Sequence, residues 1–283
     1  MCHIHSFACG RYFFLAFAAV VVVLSSASVG SASTLPITDG ISSTAIDTAT
    51  AGITGTWDAN LSLSYPDTQT LSYQVNNGGV TNWVYQPAGS FSSGNVAVLN
   101  YTGNSGLQLQ QVYVINSSGS AGSSNINETL IVSNTGSSSD DVKLYQYNSL
   151  VLSGSDTLSF VSPSLDISQM TPVSGGTATL ATVHASIQPM AYEAGTGAAV
   201  LGAISADNLN GFAGPVSPSP ASAMEWERVL GGGEVYGISQ TYTVGPTVGV
   251  VPEPSTFVLL TALVGLVAVA KFYRLRGNRC IVG

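Results

Sequence analysis

Two acidic residues beside a tryptophan offer the first candidate for chemistry. Glu225 and Glu227 flank Trp226, and on a β-strand both carboxylates would project from one face while Trp226 points into the protein. Paired carboxylates can hydrolyse a glycosidic bond, but they must lie on opposite sides of a sugar in a cleft. Neighbours on one strand face rarely meet that demand. The pattern favours a solvated strand face, with a glycoside hydrolase using Glu225 or Glu227 as the alternative.

Nucleophilic and metal-based chemistry has few residues to draw on. His184 is the only histidine beyond residue 5, and Cys2, Cys9 and Cys280 lie at the extreme ends of the chain. Neither a Gly-x-Ser-x-Gly nor a Gly-Lys-Ser/Thr motif occurs. These absences argue against His- or Cys-based metal sites and histidine-dependent triads. We expect His184, inside an alternating stretch, to be structural or on the surface.

A serine-rich turn holds two adjacent aspartates, Asp140 and Asp141. Carboxylate oxygens are ligands that Ca²⁺ prefers in proteins, but the spacing of an EF-hand loop is missing. Aspartate is also favoured in turns for its local hydrogen bonding. We therefore expect no cofactor, and Ca²⁺ at Asp140 and Asp141 is the alternative.

Aromatic residues recur along the central region and allow two interpretations. An exposed row of rings could stack on sugars, as in a carbohydrate-binding module, whereas aromatics at period-two spacing in strands usually pack in the core. The spacing favours the core. The residues concerned are Trp57, Trp83, Tyr145, Tyr147 and Tyr242.

Charge is sparse and strongly biased in this chain of 283 residues. All fifteen acidic residues lie between Asp39 and Glu253, a span that contains only two basic residues, Lys143 and Arg228. Binding to nucleic acid needs clustered Lys or Arg to replace counterions, so this excess of acid excludes it as an expected partner.

Short alternating runs of apolar and polar residues dominate residues 56–247 and are typical of half-buried antiparallel strands. Examples are LQLQQVYVI at 107–115, NETLIVS at 127–133 and VKLYQYNSLVL at 142–152, and NNGG at 76–79 predicts a hairpin turn. Eight to twelve such strands predict an all-β, antiparallel two-layer sandwich. Residues 33–55 are weakly patterned, and we expect a lead-in segment that adds at most an edge strand.

The N-terminus has the three parts of a signal peptide over residues 1–32. A basic start ending at Arg11 precedes an apolar stretch, Tyr12–Leu24, and a run of small residues that suits cleavage after Ala32 or Gly30. An uncleaved anchor is the alternative. The sequence predicts export.

A second apolar segment, Phe257–Ala270, lies near the C-terminus. As a helix it spans about 21 Å, or about 26 Å if residues 271–273 join it, against a hydrocarbon core of about 30 Å. A short transmembrane helix over 257–273 is therefore expected. The basic residues that follow place the tail 274–283 in the cytoplasm. They are Lys271, Arg274, Arg276 and Arg279.

The residues before this helix, 248–256, contain Val-Pro-Glu-Pro-Ser. Pro252 and Pro254 favour extended backbone, so Glu253 is presented at the outer membrane surface. This motif, the apolar span and the Arg-rich end over about Val251–Arg279 resemble the PEP-CTERM sorting signal of Gram-negative bacteria. In that family the signal is recognised by exosortase, a membrane-embedded cysteine protease or transpeptidase. The resemblance implies that Pro252, Glu253 and Pro254 are recognition residues, and an ordinary uncut single-pass anchor is the alternative.

The resemblance also implies a setting, because in the family this pathway accompanies exopolysaccharide and biofilm production. We expect a non-enzymatic protein that is anchored briefly in the inner membrane, cut by exosortase, and left at the cell surface or in the extracellular matrix. A carbohydrate-binding module of the exopolysaccharide matrix and, further off, the hydrolase are the alternatives.

Overall fold

The computed structural model describes residues 33–59, 63–117, 123–152, 155–171 and 179–246. Within these ranges the protein consists of two antiparallel β-sheets, one 3₁₀ turn (Asn104–Gly106) and one α-helix, α1 (Gly197–Ser205). The described residues include no helix long and apolar enough to span a membrane. The predicted signal peptide and the predicted sorting tail lie outside the described residues.

The strands of the described ranges are divided equally between the two sheets. The first sheet has the order β1 (Thr34–Thr38), β2 (Ser43–Asp47), β3 (Gly52–Ala59), β4 (Leu63–Val75), β10 (Asp140–Leu150), β15 (Pro220–Leu230) and β14 (Ala191–Thr196), and β5 (Thr81–Asn82) pairs with β4. The second has the order β11 (Thr157–Val161), β12 (Asp166–Met170), β13 (Thr179–Ala185), β16 (Val235–Pro246), β9 (Ser124–Asn134), β8 (Leu107–Ser117), β7 (Val96–Thr102) and β6 (Val84–Ser93).

The prediction of an antiparallel, all-β protein with two sheets is confirmed over the described residues. The sandwich begins earlier in the chain than the sequence indicated, because residues 33–55 form β1, β2 and the start of β3. Their pairing explains this: β1 bonds to β2, β2 to β3 and β3 to β4, with Ile37 and Ile46 buried. The expected lead-in segment is therefore part of the first sheet, and only β1 lies at its edge.

The turn at residues 76–79 forms as the sequence predicts. Asn76 and Asn77 have φ angles of 51° and 57°, which Asn tolerates, and the turn brings β5 back against β4. The returning pairing is brief, because the chain then crosses through Trp83 to β6 of the second sheet. Sequence patterns did not indicate that crossing.

The helix α1 is the element that sequence reasoning missed. It begins after Thr196 and lays Val200 and Ile204 on Tyr145, Tyr147 and two alanines of β15, on the outer face of the first sheet. Its stretch GAAVLGAIS is too short for a helical period to stand out among alternating strands. The main core lies between the sheets, and its largest side chains are Trp57, Trp83 and Trp226.

Candidate functional site

A glutamate lies at the centre of the sandwich. Along β9 the inward positions are Ser124, Ile126, Glu128, Leu130 and Val132, so alternation carries Glu128 into the core between two apolar neighbours. Its side chain is fully buried. Burying a carboxylate is costly unless hydrogen bonds compensate for the lost water.

Amide and phenol groups from four strands surround this carboxylate. Oε2 of Glu128 accepts hydrogen bonds from Nε2 of Gln146 at 2.8 Å, the hydroxyl of Tyr242 at 3.0 Å and Nε2 of Gln69 at 3.2 Å. Oε1 accepts a hydrogen bond from Nε2 of Gln111 at 3.0 Å. We call the six residues of this network the central polar cluster: Gln69, Gln111, Tyr113, Glu128, Gln146 and Tyr242.

The cluster joins the sheets to each other. Gln69 and Gln146 belong to the first sheet, whereas Gln111, Glu128 and Tyr242 belong to the second. Tyr113 adds a further crossing, since its hydroxyl donates to Oε1 of Gln69 at 3.0 Å. The network therefore fixes how one sheet sits on the other.

No cation balances Glu128 in the described part of the chain, where no Lys, Arg or His forms an ion pair with it. Burial raises the pKa of Glu128, although the nearby Tyr113 hydroxyl and the hydrogen bonds from Gln146 and Tyr242 counter this in part. Burial and the nearby Glu128 also raise the pKa values of Tyr113 and Tyr242 well above that of a free tyrosine.

A second buried acid lies beside the cluster. Asp67, on β4, lines a cavity of about 30 Å³ together with Trp57, Asn148, Ser222 and Tyr242. Burial, with a smaller contribution from Glu128, raises the pKa of Asp67 to about 7, even though the Thr68 backbone N–H lowers it. Two acids with raised pKa values thus share the interior of one domain.

The outer face of the first sheet carries a separate charged group around Lys143. Its Nζ lies 2.9 Å from Oδ1 of Asp207 and 3.7 Å from Oε1 of Glu225. The Tyr145 hydroxyl donates to the same Asp207 oxygen at 2.5 Å. Burial raises the pKa of Glu225, and Lys143 opposes that change.

This geometry bears on the predicted glutamate pair. Trp226 points into the core and donates to the Ile187 carbonyl at 2.8 Å, while Glu225 and Glu227 share the opposite face, as predicted. The expectation that this face is solvated is wrong for Glu225, which is only 6% exposed. Glu225 and Glu227 lie on one sheet face, and Glu225 is ion-paired to Lys143. The two carboxylates therefore do not flank a sugar from opposite sides of a cleft.

The two aspartates considered for Ca²⁺ are used differently by the fold. Asp140 accepts hydrogen bonds from Nδ2 of Asn76 at 2.9 Å and from Nδ2 of Asn134 at 3.4 Å. Asp141 donates its backbone N–H to Oδ1 of Asn76. Among the described residues no group of three or more His, Cys, Asp or Glu side chains is placed to hold a metal ion.

His184 and the aromatic residues fall where the sequence favoured them. His184 is on the surface, with Nδ1 2.8 Å from Oδ1 of Asp166 on the neighbouring strand. The five aromatics named as a possible sugar platform are buried, between 0% and 7% exposed, so they do not present an exposed row of rings. They are Trp57, Trp83, Tyr145, Tyr147 and Tyr242.

The sorting residues Pro252, Glu253 and Pro254 and the basic residues Lys271, Arg274, Arg276 and Arg279 lie outside the described residues. Their prediction rests on the sequence alone. The last described strand, β16, ends at Pro246, six positions before Pro252.

The sequence did contain one signal for the central polar cluster. In NETLIVS, Glu128 is in phase with Leu130 and Val132, so it occupies an inward position of the predicted strand. Gln69, Gln111 and Gln146 are inward in the same way in their strands. Their convergence on Glu128 depends on strand order, which alternation does not reveal.

Comparisons with known proteins place no family name on the chain. No protein-family model and no curated protein matches it. Among solved structures, a candidate aldose 1-epimerase of Escherichia coli K12 aligns over 76% of this chain and 100% of its own, with 10% identity and a TM-score of 0.46.

Two further structures align over only part of their own length. A candidate kojibiose phosphorylase from the human microbiome covers 83% of this chain and 33% of its own, with 8% identity and a TM-score of 0.43. An inverting mannosidase of family GH92 from Bacteroides thetaiotaomicron covers 74% and 28%, with 11% identity and a TM-score of 0.40. This chain thus spans about a third of those two proteins, and none of the three likenesses assigns a function.

Proposed function

We propose that this chain is an exported surface or extracellular-matrix protein without enzymatic activity, sorted and processed by an exosortase through its C-terminal tail. The observation that carries the proposal is the tail sequence: Pro252, Glu253 and Pro254 before a short apolar span that ends in basic residues. The signal-peptide pattern at the N-terminus agrees with it, because exosortase acts on exported chains.

The end of the sandwich supports the proposal indirectly. β16 ends at Pro246, so the chain leaves the central part of the second sheet shortly before the motif. Glu253 follows Pro246 by seven residues, a stretch that spans at most about 25 Å when fully extended. In this proposal the β-sandwich is the exported domain, and the tail is its sorting signal.

The proposal of a protein without enzymatic activity is consistent with the contacts that the candidate catalytic carboxylates already make. Glu225 is ion-paired with Lys143, and Glu128 is enclosed between the sheets. The carbohydrate-binding alternative gains nothing from the five aromatic residues, because they are buried.

The test is mass spectrometry of the mature C-terminus from cells with and without an exosortase. We expect a chain cut near Pro252–Ser255 in the first strain and an intact tail in the second. Glu253→Gln should impair the cut, whereas Glu234→Gln, on the exposed β15–β16 turn, should leave it unchanged. A tail extending beyond Ser255 in both strains would refute the proposal.

A further inference from the structure

The central polar cluster surrounds Glu128 with neutral donors, and no cation among the described residues forms an ion pair with it. Four donors converge on Glu128, each of them neutral. The titratable groups that face it are Asp67 from β4, Tyr113 from β8 and Tyr242 from β16, and none of these is cationic. In the described residues an ionised Glu128 would therefore be a buried charge without a partner of opposite sign.

The central polar cluster also contains a buried acceptor that has no hydrogen-bond partner among the described residues. Oε1 of Gln146 is buried and accepts no hydrogen bond from the described residues, and the amide nitrogen of Gln146 bonds to Glu128. The two ends of a side-chain amide have nearly the same size, so half a rotation exchanges them without changing the packing. The rotation places an acceptor where a protonated carboxyl needs one.

The distance between the side chains of Glu128 and Gln146 is compatible with this rotation of the amide. Oε2 of Glu128 and the facing amide atom of Gln146 are 2.8 Å apart, a usual distance for an O–H donor and a carbonyl acceptor. The Tyr242 hydroxyl has a second acceptor at 3.1 Å, Oε1 of Gln240, so its proton keeps a partner in either state. Gln111 is less suited to rotate, because its Nε2 also donates to the Ala51 carbonyl at 3.0 Å.

We propose that the centre of the sandwich is a proton-binding site, in which Glu128 is neutral in the folded protein and donates its proton to Oε1 of a rotated Gln146. The unfolded chain exposes an ordinary glutamate that releases this proton at neutral pH. Folding is therefore coupled to proton uptake, and mild acid favours the two-sheet structure. This inference is independent of the sorting tail.

Infrared spectroscopy of the full chain in detergent, labelled with ¹³C-glutamate, tests the proposal. We expect the carbonyl band of a protonated carboxylic acid, sensitive to the label, to persist at about pH 7, where exposed glutamates are ionised. The band should be absent from Glu128→Gln and retained in Glu225→Gln, which removes the other glutamate whose pKa is raised.

Denaturation of the same protein provides a second measurement. As the pH rises above the ordinary range of a glutamate, about 4 to 5, the wild type should lose stability, and Glu128→Gln should lose less. Glutamine resembles the neutral acid in shape, but the band in the wild-type protein decides the question even if the variant fails to fold. A wild-type protein without a protonated glutamate band at about pH 7, or one that needs added Na⁺, K⁺ or Ca²⁺ for its stability, would overturn the proposal.

Discussion

The side chains of Gln69 and Glu128 form a hydrogen bond of 3.2 Å that crosses from one sheet of the sandwich to the other. Most sandwich cores are held by apolar side chains of two inner faces. Here the apolar core surrounds the central polar cluster. Its hydrogen bonds are directional, so they favour one position of the first sheet on the second. Loss of any one donor leaves the remaining atoms buried and under-satisfied.

Tyr242 offers a direct test of that cost. Its hydroxyl donates to Glu128 at 3.0 Å, and Tyr242→Phe removes the hydroxyl while keeping the ring. We expect the free energy of unfolding to fall by about 1 to 3 kcal/mol, measured by urea denaturation. Tyr101→Phe is the matched control, because the Tyr101 hydroxyl is equally buried but has no partner among the described residues. Equal losses in the two variants would contradict the role given to the cluster.

The dependence of stability on pH follows from Asp67. Its pKa is about 7 in the folded protein and near 3.8 in the unfolded chain, so the folded state holds the proton more tightly. The stabilisation is complete below about pH 4, declines as pH rises and is lost above about pH 7, amounting to at most about 4 kcal/mol. Asp67→Asn should flatten this decline in denaturation midpoints measured across the range.

A surface acid provides the comparison for Asp67. Glu234→Gln changes an exposed side chain on the turn between β15 and β16 and should keep the wild-type slope. Part of the slope should survive in Asp67→Asn as well, because the pKa of Glu128 is also raised. A wild-type protein that gains stability between about pH 4 and about pH 7 would show that burial is not the dominant effect on Asp67.

Local patterns in the sequence predicted strands better than they predicted partners. Alternation located β8, β9 and β10, and the Asn-Asn-Gly-Gly turn was recognised, because both depend on residues close in the chain. The pairing of β4 with β10, and of β16 with β9 and β13, joins residues far apart in sequence. Local patterns carry no information about such contacts, so the meeting of Glu128 with Gln69 and Tyr242 could not be foreseen.

The charged group of Lys143 was missed for a related reason. Sequence spacing put Glu225 and Glu227 on one face, but Asp207 and Lys143 reach that face from a loop after α1 and from β10. Tyr145 joins them from the same strand. Together these residues cover part of the sheet face that the sequence predicted to be solvated. Glu225 is therefore buried there beside Lys143.

Replacing Lys143 should reveal how far this group depends on the lysine ammonium group. Lys143→Met keeps an apolar chain of similar length but leaves Asp207 and Glu225 without the ammonium group. We expect a loss of about 1 to 3 kcal/mol at neutral pH, between the values for exposed and for buried ion pairs. The loss should shrink in mild acid, where Glu225 takes up a proton more readily. Arg228→Met, at an exposed position of the neighbouring strand β15, is the control and should cost little.

A glycine next to the central polar cluster sets the spacing between two strands of the first sheet. A Cβ built on Gly52 would lie 2.0 Å from the backbone carbonyl oxygen of Gln69, closer than any real contact. Gly52→Ala must therefore push β4 away from the start of β3 and displace Gln69, whose side chain bonds to Glu128. We expect a loss of about 3 kcal/mol or more in urea denaturation.

Gly202→Ala is the matched substitution at a site with open space. Gly202 lies in α1 with nothing within 4 Å of the added Cβ, so alanine should raise stability by about 0.5 to 1 kcal/mol. The two variants add the same methyl group, and the difference between them isolates the close approach at Gly52. If Gly52→Ala displaces Gln69, it should also change the pH dependence of stability, which Gly202→Ala should not. A Gly52→Ala protein as stable as the wild type would mean that β3 and β4 tolerate a wider separation than the packing around Glu128 implies.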